Sequence, residues 1–217
     1  MSNYFSKLPD FEYVSRKPNA KISEFIPVKN LFKRGFIRED ILQNVAFFNK
    51  YTIDGDDRPY TVAYNVYDSE DLDWLVLACN NIINVQSEWP MTQEVFNDYL
   101  LKKYKTYEKM SDIHHYETSE VRKPTGEVVL EAGLEVDEGF TYTFGHGNQI
   151  ITENPTVPVT CYEYEEKLEN KKRQLFLLKP KYIHIVLDDL DEMMKYAKGA
   201  DNYINKKLKR ADNIRLY

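Results

Sequence analysis

Residues 51–90 read YTIDGDDRPYTVAYNVYDSEDLDWLVLACNNIINVQSEWP, and this stretch decides what the chain can fold into. The run leading into it, Val45 to Ile53, reads as a strand, and Asp54-Gly55-Asp56 as the turn that ends it. Arg58-Pro59 opens a helix, because a proline in the first turn gives up an N–H that has no partner there. Val62, Ala63 and Val66 supply its buried stripe. Asp68 or Ser69 caps a second helix, with Glu70 and Asp71 at the positive end of its dipole. Leu72, Leu75, Val76 and Cys79 fall at i, i+3, i+4 and i+7 on one face, and Trp74, Leu77 and Ala78 add another, so this helix is covered on most sides. Asn80-Asn81 ends it, since Asn tolerates the left-handed conformation. The stretch closes as an extended segment through Trp89-Pro90. The expectation is a small βααβ module with Tyr51, Val62, Val66, Leu72, Trp74, Leu75, Val76 and Cys79 in its core.

Outward from the module, residues 1–30 alternate aromatics with Pro, Lys and Asn and hold no sustained period. They read as an extended arm that gains order by lying on something. Thr92 caps a third helix with Val95, Phe96, Tyr99, Leu100 and Tyr104 in its stripe. Over residues 113–152 the period changes. Ile113–Tyr116, Glu127–Glu131 and Phe140–Phe144 look like strands of a hairpin or small antiparallel sheet, separated by glycine turns. Asn154–Pro158 reads as a linker, followed by a helix from Val159 to Lys172 and a strand from Arg173 to Leu178. Pro180 starts an amphipathic helix carrying Ile183, Val186, Leu187, Leu190, Met193, Met194 and Ala197, and Gly199 stops it. The tail to Tyr217 is basic. The fold class is α+β, in four regions: an arm and first helix (1–44), the module with its following helix (45–110), a hairpin or small sheet (111–158), and a helix–strand–helix region (159–217).

At 217 residues, 42% hydrophobic and 29% charged, the chain can bury a real core. A net charge of -6 argues against nucleic acid as a partner, because a phosphate-binding face needs a basic surplus. No apolar run reaches the length of a spanning helix or a signal peptide, so neither membrane insertion nor export is expected. Cys79 and Cys161 are too few for a disulfide framework and lack metal-ligand spacing. The unusual number is 17 Tyr in a chain that is 14% aromatic. A tyrosine offers a rigid ring with a polar tip at low entropic cost, which suits protein–protein surfaces.

Catalytic chemistry finds little support. His114 and His115 lie in an expected strand, where alternation sends the two rings to opposite faces, so no shared metal ion is expected. His146 and His184 stand apart from them. Asp56-Asp57 and Asp188-Asp189 fall in a turn and on a polar helix face, where solvated charge is the default. There is no nucleophile elbow and no phosphate loop. Hence no enzyme, cofactor, metal or small-molecule substrate is expected. The candidate contact residues are Tyr4, Phe5, Phe11 and Tyr13 on the arm and Tyr60 and Tyr64 on the first module helix. Trp89 joins them as either a lid on the module or a partner anchor.

Several motifs in order carry a resemblance. They are YFSKLP near the start, NLFKRGFIRED before the module, Arg58-Pro59, Tyr67, Trp74-Leu75-Val76-Leu77, Asn80 and Trp89-Pro90 within it, IHHYET after it, and CYEYEEKLENKKRQLFLLKPKYI near the end. The set resembles the LysM-containing baseplate wedge proteins of contractile-tailed, T4-like bacteriophages. The chain departs at Tyr67-Asp68, where that family often has Tyr-Gly, and Asp can make the same turn. The resemblance implies a structural subunit of the virion, assembled in the host cytoplasm, that joins neighbouring wedges and wedge to central hub through contacts with other wedge subunits and hub proteins. The alternative implied by a LysM-like module is a peptidoglycan-binding protein that recognises N-acetylglucosamine.

Overall fold

A computed structural model describes residues 3–21, 23–147, 149–199 and 203–210. The first two residues of the expected arm, and residues 211–217 of the expected basic tail, lie outside the described residues. The chain forms two compact units, Met1–Trp89 together with Gln174–Tyr217, and Pro90–Arg173. These units group the four expected regions differently, because the first one is assembled from both ends of the chain.

In the first unit the strand Phe48–Thr52 pairs antiparallel with Gln174–Leu178, placing Tyr51 opposite Leu175 and Asn49 opposite Leu177. The helices Pro59–Tyr67 and Asp73–Cys79 follow the first strand and pack on each other, and the second of them also packs on Gln174–Leu178. The core holds Ile53, Val62, Ala63, Tyr67, Leu72, Leu75, Val76 and Trp89 with Leu175, Leu177, Leu178 and Val186. Of the expected core residues, Val62, Leu72, Leu75 and Val76 are buried, and Tyr51, Val66, Trp74 and Cys79 pack partly buried around them.

The strand closing this arrangement differs from the expected one. Residues leading to Trp89 contain a short helix, Val85–Glu88, in place of an extended segment. Local capping explains it. Asn84 Oδ1 accepts from Gln86 N–H, and Glu88 Oε2 reaches back to the N–H groups of Ile83 (2.7 Å) and Asn84 (3.1 Å). The outer edge of Gln174–Leu178 is sealed instead by the end of the second module helix. Asn80 accepts from Phe176 N–H at 2.8 Å and donates to its carbonyl at 3.0 Å, mimicking a further strand. Burial next to this edge pushes the Cys79 thiol up to about 12, and a bond from the Leu178 backbone offsets only part of that.

The N-terminal arm is also more structured than expected. Asp10–Val14 pairs antiparallel with Phe25–Lys29 and parallel with Leu208–Arg210, which pairs in turn with Tyr203–Asn205. The result is a four-stranded sheet that joins the two chain ends. Basic residues of the tail contribute here, with Arg210 paired to Glu12 at 2.8 Å and lying over the Phe25 ring. The arm therefore gains its order from its own chain. Leu8 is buried with Leu190 and Met194, the latter two from the C-terminal helix Ile183–Met193 and its C-cap.

In the second unit the helices Gln93–Tyr104 and Cys161–Lys172 begin as their caps dictate. Thr92 accepts from Val95 N–H, and Thr160 and Glu163 form a reciprocal capping box. The expected linker before the second helix is a strand, Thr156–Thr160, paired with Ile113–Thr118, which also pairs with Glu135–Val136. Separate hairpins join Val121–Arg122 to Val128–Leu130 and Tyr142–His146 to Gln149–Glu153. The buried Glu165 carboxylate accepts from Lys103, from Tyr104 at 3.0 Å and from Tyr99 at 3.3 Å, tying the two helices together. Burial works to raise its pKa, but the Lys103 and tyrosine hydrogen bonds outweigh it and hold the group below the usual carboxylate value.

Candidate protein–protein interface

The largest concentration of exposed apolar side chains in the first unit lies on residues 31–45. Only Glu39–Leu42 of this segment is α-helical, and Ile37 and Ile41 turn into the core. Leu31, Phe36, Leu42 and Val45 remain exposed beside them, and Phe32 is 94% exposed. The segment is held from below, because the Tyr4 hydroxyl accepts from Gly35 N–H at 2.9 Å and the Tyr4 ring lies 5.5 Å from that of Trp74. Beside it opens a groove of about 380 Å³ lined by Phe36, Leu42, Trp74, Leu77, Ile82 and Ile83, with Arg34 and Asn81 as polar groups. Leu42 also lines a second hollow of about 200 Å³ with Val45, Phe48, Cys79 and Phe176. Leu42 is thus common to both hollows. A phenylalanine left in water forgoes about 1.5–3 kcal/mol of burial, so a cluster of this kind is a candidate contact surface.

The candidate contact residues fall into three groups. Phe5, Tyr60 and Tyr64 are exposed, the tyrosines one helical turn apart on Pro59–Tyr67. Tyr4, Phe11 and Tyr13 are half-buried and already engaged: Tyr4 on Trp74, Phe11 edge-on to Tyr13, and the Tyr13 hydroxyl accepting from Arg16 at 2.9 Å. Of the two roles open to Trp89, burial sets aside the partner anchor and fits the lid. At 2% exposure it belongs to the core, with its indole N–H donating to the Asp57 carbonyl at 2.9 Å, so it closes the turn before the first module helix. Sequence reasoning takes Phe32, Phe36 and Leu42 as part of a recurring apolar pattern and Val45 as the start of a strand, and places none of them, nor Ile83, among the contact residues. The signal on this segment is the recurrence of Leu31, Phe32, Phe36, Ile37, Ile41 and Leu42, which reads as a first helix and does not say which of them stay outside.

The histidines require a correction. His114 and His115 share a face, with their Nδ1 atoms 2.9 Å apart. The cause is a bulge: His115 lies opposite Val159 and Ile113 opposite Thr160, so His114 is an extra residue and alternation fails there. Among the described residues no group of three or more His, Cys, Asp or Glu has metal-binding geometry. Asp189 and Asp191 of the C-terminal helix face Arg38 and Lys7 as ion pairs. No helix among the described residues is long and apolar enough to cross a membrane.

The fold and this surface fit a class of protein that works by burying area on partners. Residues 3–131, more than half of the chain, match the family model described as Base plate wedge protein 53. The chain belongs to this phage baseplate wedge family. Its role is that of a structural baseplate protein, its place is the tail baseplate of the virion, and its partners are other baseplate proteins. The family is not known as one of enzymes. No curated protein matches the sequence. The family match covers the exposed segment at residues 31–45 and ends before Gln174–Leu178, the strand that completes the first unit.

Proposed function

We propose that the chain joins neighbouring wedges, and wedge to central hub, in a contractile-tail baseplate, and that it assembles there in the host cytoplasm as a late protein. The observation that carries this reading is the exposed apolar wall of Phe32, Phe36, Leu42, Val45 and Ile83 on a chain of the baseplate wedge family. The strand, two helices and distant closing strand of the first unit act as a LysM-like module whose apolar surface is turned to protein contact. Contacts spread over several neighbours make ring closure cooperative, since each one raises the effective concentration for the next.

The test is complementation of a phage lacking this protein with a Phe32→Ser, Phe36→Ser double variant. Both side chains are exposed, so the variant keeps its circular dichroism spectrum and unfolding midpoint. Electron microscopy should then find unjoined wedges where the parent chain yields complete baseplates. Complete baseplates with the variant would discard this surface, and complete baseplates without any copy of the chain would discard the function.

A second reading is supported by Tyr60 and Tyr64, whose exposed rings on one helix face could stack on a sugar. Here the module binds peptidoglycan N-acetylglucosamine. Saturable co-sedimentation of the chain with purified peptidoglycan, lost in a Tyr60→Ala, Tyr64→Ala variant, would establish it; no sedimentation would end it.

A further inference from the structure

We propose that His114 and His115 form a binding site for a divalent transition-metal ion of the Cu²⁺ or Ni²⁺ type, with the two Nδ1 atoms as ligands and Glu117 as a positioning residue. Each ring is already held. His114 stacks on Tyr164 of the helix Cys161–Lys172 at 4.0 Å and 9° between planes. His115 stands edge-on to the same Tyr164 and bonds through Nε2 to Glu117 Oε1 at 3.1 Å. Glu117 is anchored in turn by Lys167 Nζ at 2.6 Å. A carboxylate on the far nitrogen of a histidine fixes the tautomer that leaves the near nitrogen free as a ligand, the usual support behind a metal-bound imidazole.

That support determines the rest of the geometry. With its Nε2–H given to Glu117, His115 presents a bare Nδ1, and the 2.9 Å contact is a hydrogen bond donated by His114 Nδ1–H. A proton thus holds together two nitrogens that a metal ion can hold instead. When the ion enters, the His114 proton moves to Nε2, and both rings turn by about 45° so that their lone pairs leave the line between the nitrogens and meet at the ion. No net proton is released. The spacing of the nitrogens also selects the metal. An ion about 2.0–2.1 Å from both would see them at about 90°, whereas a tetrahedral zinc site needs the nitrogens about 3.3–3.4 Å apart. A right angle between two imidazoles suits the tetragonal coordination of Cu²⁺ and Ni²⁺. Water fills the remaining positions, so the ion is exchangeable. Bound there, it would clamp the bulged strand Ile113–Thr118 and raise the stability of the unit that contains it.

The full chain would be titrated with Ni²⁺ by calorimetry and loaded with Cu²⁺ for electron paramagnetic resonance. We expect one ion per chain with splitting from two nitrogen ligands. His114→Ala and His115→Ala should each weaken binding at least tenfold, and Glu117→Gln about tenfold through lost orientation. Ni²⁺ should raise the unfolding midpoint of the parent but not of the His114→Ala, His115→Ala double variant. The proposal fails if the parent binds no tighter than that double variant, or if the parent's spectrum shows a single nitrogen ligand. The spectrum is read on the unaltered chain, so a variant that fails to fold does not obscure the result.

Discussion

Asp68 shows at the scale of one residue how local demands are met. It follows the helix Pro59–Tyr67 in the left-handed conformation, φ 55°, with its N–H donated to the Tyr64 carbonyl at 2.9 Å. The sequence made this turn legible, because Asp tolerates that region, but an L side chain pays a steric cost there that glycine avoids. Asp68→Gly should therefore stabilise the chain by about 0.5–1 kcal/mol, the steric relief less glycine's extra chain entropy, measured as a higher urea midpoint at unchanged slope. Glu165 makes the opposite kind of contribution. Its pKa lies below the ordinary 4.5 in the folded chain, so the folded state holds its proton less tightly than the unfolded state. The sign follows: its stabilisation is complete above about pH 4.5 and is lost as pH falls through the folded value. Glu165→Ala should cost about 2–3 kcal/mol at pH 7, where it strands Lys103 and two tyrosine hydroxyls, and much less at pH 3. Urea melts of parent and variant at the two pH values measure the difference.

Among elements, the longer helices with their own caps were the most legible. Thr92 and the Thr160–Glu163 box start helices where their side chains satisfy N–H groups, a matter settled within one turn of chain. Strands were less so. Thr156–Thr160 carries a proline and reads as the end of a linker and the start of a helix until Ile113–Thr118 is beside it, and the bulge at His114 arises from that pairing. Gly35 belongs to this scale too. A Cβ there would lie 2.1 Å from Leu190 Cδ1 and 3.3 Å from Met194 Cε, so the 31–37 segment can approach the C-terminal helix only through a glycine. Gly35→Ala should lower stability by about 1–3 kcal/mol, since Leu190 is buried and has little room to move. Differential scanning calorimetry would show it, and Leu190→Ala in the same chain should recover part of the loss caused by Gly35→Ala by removing the clashing methyl.

For the whole molecule, the first unit is discontinuous in sequence: Gln174–Leu178 returns to the first strand after the entire second unit has intervened. The sequence by itself determined the longer helices, their caps, most of the small core and the family motifs, because each depends on residues a few positions apart. Those residues set spacing, dipole and turn chemistry without outside help. Tertiary structure alone decided which strand completes the module, that Trp89 closes a turn and is withdrawn from the surface, that the arm pairs with the tail, and that two histidines meet. The reason is common to all four. Strand pairing and burial are contacts between segments distant in the chain, and an unpaired run of residues carries no record of which edge or cavity will receive it.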